Sequence, residues 1–305
     1  MQASKFTLFR LQLHRSPQLP LLGEYLTEPQ IITLALEERP RDFIKGDDWL
    51  IGNVQRPYDD VMTFDIGRQH AATLTTVSES GDFHDLKALV APHTNVVVDL
   101  KYQVAAIAHH SELSQSVYAI GARLQNLLQA STSVSERGID VRVDALLDPA
   151  EFFEIIDNAA AVTKFKVTFG LPNVWDPAEF QRSMQVTTKE LGGEESDTVI
   201  KGDHLNKEPL KQLARAASSI GKDAVAWVKK SAGQKAVSVR QGKNPVTVEL
   251  TADDADAGQP EIDGDFDFTA EDDDVGQDVP SQSMRLLELL IERIRAKYAE
   301  IRRYD

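Results

Sequence analysis

Residues 162–169 read VTKFKVTF, and this run decides how the second half of the chain is organised. Apolar and polar residues alternate in it, which is the two-residue period of a strand. Downstream, Asp176-Pro177 opens a helix expected to reach about Leu191 and to stop at Gly192-Gly193. Thr198–Lys201 reads as a strand and Pro209–Ile220 as a helix closed by Gly221. Ala224–Lys229, Ala236–Arg240 and Val246–Leu250 read as strands, the last two joined through Gly242-Lys243-Asn244-Pro245. The order β-α-β-α-β-β-β predicts a compact C-terminal α+β domain over 161–250.

Upstream, residues 1–160 read as a hairpin-rich α+β domain. Lys5–His14 alternates, with Phe6 and Leu8 on one face and Phe9, Leu11 and Leu13 on the other. Glu28–Glu38 reads as a short helix ended by Pro40. Trp49–Gln55 and Val61–Ile66 form one expected hairpin, and Val96–Leu100 with Gln103–Ala108 a second. Ser111–Gln129 carries apolar residues at helical spacing, Ile139–Val143 is a short strand, and Asp148-Pro149 starts a further helix. Residues 251–280 read as an acidic loop and 281–305 as a C-terminal helix, so the expectation is a two-domain α+β protein with these two appendages.

The 305 residues include no cysteine, which excludes a disulfide scaffold, a thiol nucleophile and Cys-based zinc or iron–sulfur sites. No run approaches the roughly 18 apolar residues of a membrane span. The opening MQASKFTLFRLQLHRSP alternates and lacks a signal-peptide core, so the expected address is the cytoplasm. The net charge of −15 is unevenly laid out. Residues 251–280 hold 12 acids and no Lys or Arg, whereas 201–250 hold 10 Lys/Arg against 4 acids. Overall acidity opposes indiscriminate nucleic-acid binding, but a local basic face is compatible with it.

That face is expected from Lys201, Lys207, Lys211, Arg215, Lys229, Lys230, Lys235, Arg240 and Lys243, with Lys222 among them. Lys207, Lys211 and Arg215 recur every four residues and share one helix face. Such an array can neutralise successive phosphates, and Trp227 and His204 can stack on a base; the same charges also suit a solvated surface. In the acidic stretch, Asp263, Asp265 and Asp267 alternate with Gly264, Phe266 and Phe268. The spacing echoes a calcium loop, but Phe268 stands where the turn needs Gly. Phe266 and Phe268 suggest docked rings that hold the acids over the basic face as an autoinhibitory loop; a plain solvated spacer is the simpler reading. In the last helix Leu287, Ile291, Ile294, Tyr298 and Ile301 continue from Met284 at spacings of three and four, either as a dimer seam or as a stripe packed on the chain's own core.

Asp85 with Asp99-Leu100-Lys101 matches a short metal-nuclease pattern, in which Asp85, Asp99 and Lys101 would hold magnesium and activate water. Asp99–Gln103 is equally suited to the hairpin turn it occupies. His109-His110 beside Glu112 point to opposite faces of a strand end, so at most one could line a site. Ser219-Ile220-Gly221-Lys222 lacks the first Gly and the Ser/Thr of a P-loop, and neither G-x-G-x-x-G nor G-x-S-x-G occurs after a strand. No cofactor, no metal and no catalytic residue is expected.

The layout resembles the lambda RexA-like proteins of phage exclusion and related bacterial anti-phage proteins. The residues that carry the resemblance are Val96-Val-Val-Asp-Leu-Lys-Tyr-Gln-Val-Ala-Ala-Ile, the helix after it, and Lys164-Phe-Lys-Val-Thr-Phe-Gly-Leu-Pro-Asn as entry to the second domain. The resemblance is one of element order over about residues 1–250. It implies a cytoplasmic, dimeric, DNA-associating protein that signals to a membrane-protein partner, and the acidic loop departs from it. The reading from sequence is therefore a non-catalytic DNA-binding protein of phage defence and a homodimer. The metal nuclease and a scaffold subunit of a defence complex are its alternatives.

Overall fold

The computed structural model describes residues 4–15, 26–77, 81–170, 188, 191, 195–219, 222–231, 233–242, 244–251, 254 and 282–302. The helix expected over 176–191, Lys243, and the acidic residues Asp263, Asp265, Phe266, Asp267 and Phe268 lie outside them, apart from Thr188 and Leu191.

Strand β1 (Ser4–Arg15) organises the larger of two antiparallel sheets, because it is apolar on both faces. Its partners on one side are β7 (Val104–Ala108) and then β6 (His93–Asp99), β4 (Val61–Val77), β3 (Asp47–Tyr58) and β2 (Arg41–Ile44). On its other side β8 (Ile139–Ala145) and β13 (Thr247–Leu250) lie end to end, β8 along residues 9–15 and β13 along residues 4–7. Strand β5 (Phe83–Val90) pairs only with the outer half of β4, so this hairpin extends as a two-stranded ribbon.

Each face of the sheet is covered by helices whose apolar stripes match it. Phe9, Leu11, Phe64, Val96 and Ile107 bury against α1 (Glu28–Glu37), α2 (Val117–Ala130) and the short α3 (Thr132–Ser135). Gly121 permits the close approach of α2, since a Cβ there would stand 2.5 Å from Cε1 of Phe9. The opposite face, with Phe6, Leu8, Val97 and Val248, is covered by the C-terminal helix α6 (Gln282–Arg302). Leu287, Ile291, Ile294, Tyr298 and Ile301 are all buried there, together with Leu286 and Leu290. Burying each of these side chains is worth about 1.5–3 kcal/mol. Of the two readings the sequence offered for this stripe, the one packed on the chain's own sheet is observed, in keeping with the wide run of leucines in the helix's first half. No helix among the described residues is long and apolar enough to cross a membrane.

The smaller sheet has the order β10-β9-β11-β12, with β9 (Ala161–Gly170), β10 (Glu195–Lys201), β11 (Ala224–Lys229) and β12 (Val237–Arg240). Helices α4 (Ala150–Asn158) and α5 (Lys207–Ser218) cover one face, where Phe152, Ile156, Leu210 and Ala214 meet Phe165, Val167 and Ala226. Two-domain α+β architecture is thus as the sequence implied, but the division differs from 160 and 250. Helix α4 belongs with the small sheet because its apolar stripe is buried there. The last strand of the expected β-α-β-α-β-β-β unit, β13, returns to β1. The small unit is an insertion whose two connections are held together: Leu147 bridges Pro245, and the Asp148 N–H donates to the Asn244 carbonyl at 3.0 Å.

Candidate nucleic-acid interface

The alternation of VTKFKVTF sorts β9 into two faces. Phe165 and Val167 are buried under the helices, and Lys164, Lys166 and Thr168 point to the other side. Cross-strand register extends this second face across the sheet. Lys201 pairs with Lys164, Lys164 with Trp227, and Trp227 with Ser238, one row over four strands. The next row is Val199, Lys166, Val225 and Arg240, and Lys229 follows Trp227 on the same face of β11. All of these residues are intermediate or exposed. With strands about 4.8 Å apart, Lys201 and Trp227 stand roughly 10 Å apart across the row.

The charges divide this face in two. Toward one end they are neutralised in pairs: Lys166 with Asp197 at 2.7 Å, Lys222 with Glu195 at 2.7 Å, and Arg240 with Asp223. The hydrogen bond from Lys166 holds the Asp197 carboxyl below the ordinary carboxylate range. Toward the other end, Lys201 and Lys229 have no carboxylate partner among the described residues, and neither do Lys230 and Lys235 in the exposed connections. Lys164 Nζ lies 4.0 Å from the centroid of the Trp227 ring, a cation–π contact that presents an aromatic face and an ammonium together. Among the expected stacking groups, Trp227 is on this face and His204 is exposed in the loop after β10.

The helical trio fares differently. Lys207 Nζ donates to the carbonyls of Asp157 and Ala159 at 2.9 and 2.7 Å, closing the C-terminal end of α4. Lys211 is held by Asp157 at 3.0 Å and by Glu208 at 2.7 Å, which raises its pKa. The Arg215 guanidinium lies 5.1 Å from the centroid of the Phe153 ring. Four-residue spacing did put the three on one face, but that face is the α4–α5 seam. The expected single basic surface is thus two: a seam cemented to α4, and a sheet face that no described helix covers.

Asp85, Asp99 and Lys101 do not converge. Asp85 pairs with Thr75 and Asp99 with Val61, at opposite ends of β4 and on the order of 45 Å apart along an extended strand. Asp99 is 1% exposed; its Oδ1 accepts the Tyr102 N–H at 2.8 Å and its Oδ2 accepts Arg295 Nε at 2.5 Å. It caps the hairpin turn and anchors α6, and Lys101 Nζ stacks on the Tyr102 ring. His109 Nε2 lies 3.1 Å from the Ser114 carbonyl. Among the described residues, no three His, Asp or Glu side chains are grouped to hold a metal ion.

A cleft of about 570 Å³ opens where the paired end of the sheet face meets the large unit. Thr168, Glu195 and Arg240 belong to both the face and the cleft, and Tyr118, Gln125 and Asp144 face them from α2 and β8. Sequence reading missed Lys164 and Lys166, which the two-residue period of β9 could have shown. It also missed Asp144, for which no local signal exists. No family model matches this chain, and no curated protein matches it as a relative.

Proposed function

We propose that this protein binds single-stranded nucleic acid across the open face of its small sheet, as a binding module rather than an enzyme. The observation that carries the reading is the row Lys201–Lys164–Trp227, with Lys229 beside it, on a sheet face that no described helix covers. An aromatic ring flanked by lysines that have no carboxylate partner among the described residues offers a base something to stack on and the flanking phosphates something to bind. A flat sheet face suits splayed bases better than the cylinder of a duplex, whose bases are stacked inside and unavailable to Trp227. Lys164 covers the ring in the free protein and is free to swing to a phosphate when a base arrives. The acidic composition of the rest of the chain disfavours binding elsewhere. The element-order resemblance to RexA-like exclusion proteins points the same way, toward nucleic acid in a cytoplasmic defence setting.

Fluorescence anisotropy with a labelled 12-nucleotide DNA or RNA strand tests this. Stacking on one ring is worth about 1–3 kcal/mol, so Trp227→Ala weakens single-strand binding about 5- to 150-fold. A duplex of the same length binds more weakly than the single strand. Equal affinity for wild type and Trp227→Ala, or a preference for duplex, overturns the proposal.

A further inference from the structure

The cleft beside the sheet face has an aromatic and apolar wall and a polar floor. Tyr118, Phe9 and Val143 come from the large unit, and Tyr118 is 43% exposed. Asp144, next to Val143 on β8, lies on the same side, and across from it are Glu195 and Asp223 with the cations Lys222 and Arg240. Of the carboxylates, Asp144 stands apart. Its side chain is one-third exposed and ion-paired with Lys222, and its Oδ2 meets no hydrogen-bond donor among the described residues. Lys222 Nζ, at 3.7 Å, is beyond hydrogen-bond length and is taken by Glu195 at 2.7 Å. Burial pushes the Asp144 carboxyl above its ordinary range, against the opposing pull of Lys222. A buried acceptor without a donor is uncommon in folded proteins and marks a position a donor can fill. The carboxylates disfavour a phosphate in this cleft, and the aromatic wall favours a flat ring.

We propose that the cleft receives one nucleobase and selects bases that carry an exocyclic amino group, with Asp144 accepting a hydrogen bond from that amine and Tyr118 flanking the ring. This inference rests on the single-strand reading and deepens it. The cleft volume is in the range of small-ligand sites. Carboxylates read cytosine through its N4 amine in other nucleic-acid complexes. Thr168 lies four residues from Lys164 along β9, about 13 Å, so a strand laid over Trp227 continues directly into the cleft. Thymine and uracil present a carbonyl where the amine would be and leave Asp144 without a donor.

The test measures anisotropy with oligo-dC and oligo-dT of eight nucleotides, and calorimetry with cytidine and uridine. Wild type is expected to prefer oligo-dC by about tenfold. Asp144→Asn abolishes the preference and leaves oligo-dT affinity unchanged. Tyr118→Ala, at an exposed position, weakens oligo-dC more than oligo-dT. Lys201→Gln/Lys229→Gln weakens both strands equally and keeps their ratio, which separates the cleft from the sheet face. Equal affinity of wild type for the two strands, or a ratio that survives Asp144→Asn, overturns the inference. If neither strand binds, the single-strand reading fails and the nucleosides decide the cleft. Cytidine binding that Asp144→Asn removes keeps it as a free-nucleoside site, and no cytidine binding overturns it.

Discussion

Removing the Arg295 guanidinium strips Asp99 of its charged partner in the interior of the large unit. Asp99 is 1% exposed and among the described residues keeps only the Tyr102 N–H at 2.8 Å, while Arg295 is one-third exposed and also reaches Asp60 at 2.6 Å. Breaking a buried pair by deleting one partner costs about 3–5 kcal/mol. The partial exposure of Arg295 places Arg295→Met near the lower end, at about 3 kcal/mol. Asp99→Asn keeps the turn-capping acceptor and leaves Arg295 with Asp60 and water, so its cost is smaller, about 1–2 kcal/mol. The double variant leaves no charge stranded, so its cost falls short of the sum of the two singles. A double-mutant cycle should then give a coupling energy of about 1.5 kcal/mol, within the usual span for contacting residues. Urea unfolding followed by circular dichroism measures it. Additivity within about 0.5 kcal/mol would refute the claim that this pair anchors α6. If Asp99→Asn left stability untouched and abolished a magnesium-dependent cleavage, Asp99 would belong to a nuclease instead.

Asp254 is joined to Arg293 by two hydrogen bonds, at 2.7 and 2.8 Å, chiefly for which its carboxyl is held down at about 2. A depressed carboxyl stabilises the fold above its unfolded pKa near 4, and that contribution is lost as pH falls toward 2. Solvent screening reduces it to roughly 1 kcal/mol. Urea midpoints at pH 6 and pH 3 should therefore draw closer in Asp254→Asn than in wild type, and an unchanged gap would contradict the pairing. Gly121→Ala brings a Cβ to 2.5 Å from a buried Phe9 ring, and overpacking of this kind costs about 1–3 kcal/mol. Thermal unfolding checks that value; a neutral result would mean that α2 stands farther from β1 than this packing requires.

The strands were legible where a short period coincides with burial. Phe6 and Leu8 against Phe9, Leu11 and Leu13 announced a strand between two layers, and the sheet is covered on both faces at those residues. The β4–β5 ribbon escaped notice because Phe83 and Leu89 are exposed, so its described side chains form no consistent buried face to impose alternation. The return of β13 to β1 could not be read either. It pairs Ser4 with Leu250, and register between residues so far apart leaves no trace in either segment. The candidate site shows the same division. Spacing of four grouped Lys207, Lys211 and Arg215 but could not tell that Asp157 and Phe153 of α4 would be their neighbours. Lys164 and Lys166 flanking Phe165 did carry the signal for an open face, since a strand that buries Phe165 and Val167 turns its lysines outward. Asp144 acquires its surroundings from α2, β8, β9 and β12, which no local pattern brings together.

Salt dependence of single-strand binding tests the central claim most directly. Each lysine that contacts a phosphate contributes about 0.7 to the slope of log K against log salt. Lys164→Gln/Lys201→Gln/Lys229→Gln should flatten that slope by about 2, and Lys207→Gln/Lys211→Gln/Arg215→Gln should leave it as in wild type. A slope flattened by the helical substitutions and untouched by those on the sheet would place the phosphates on the α4–α5 seam and contradict the account.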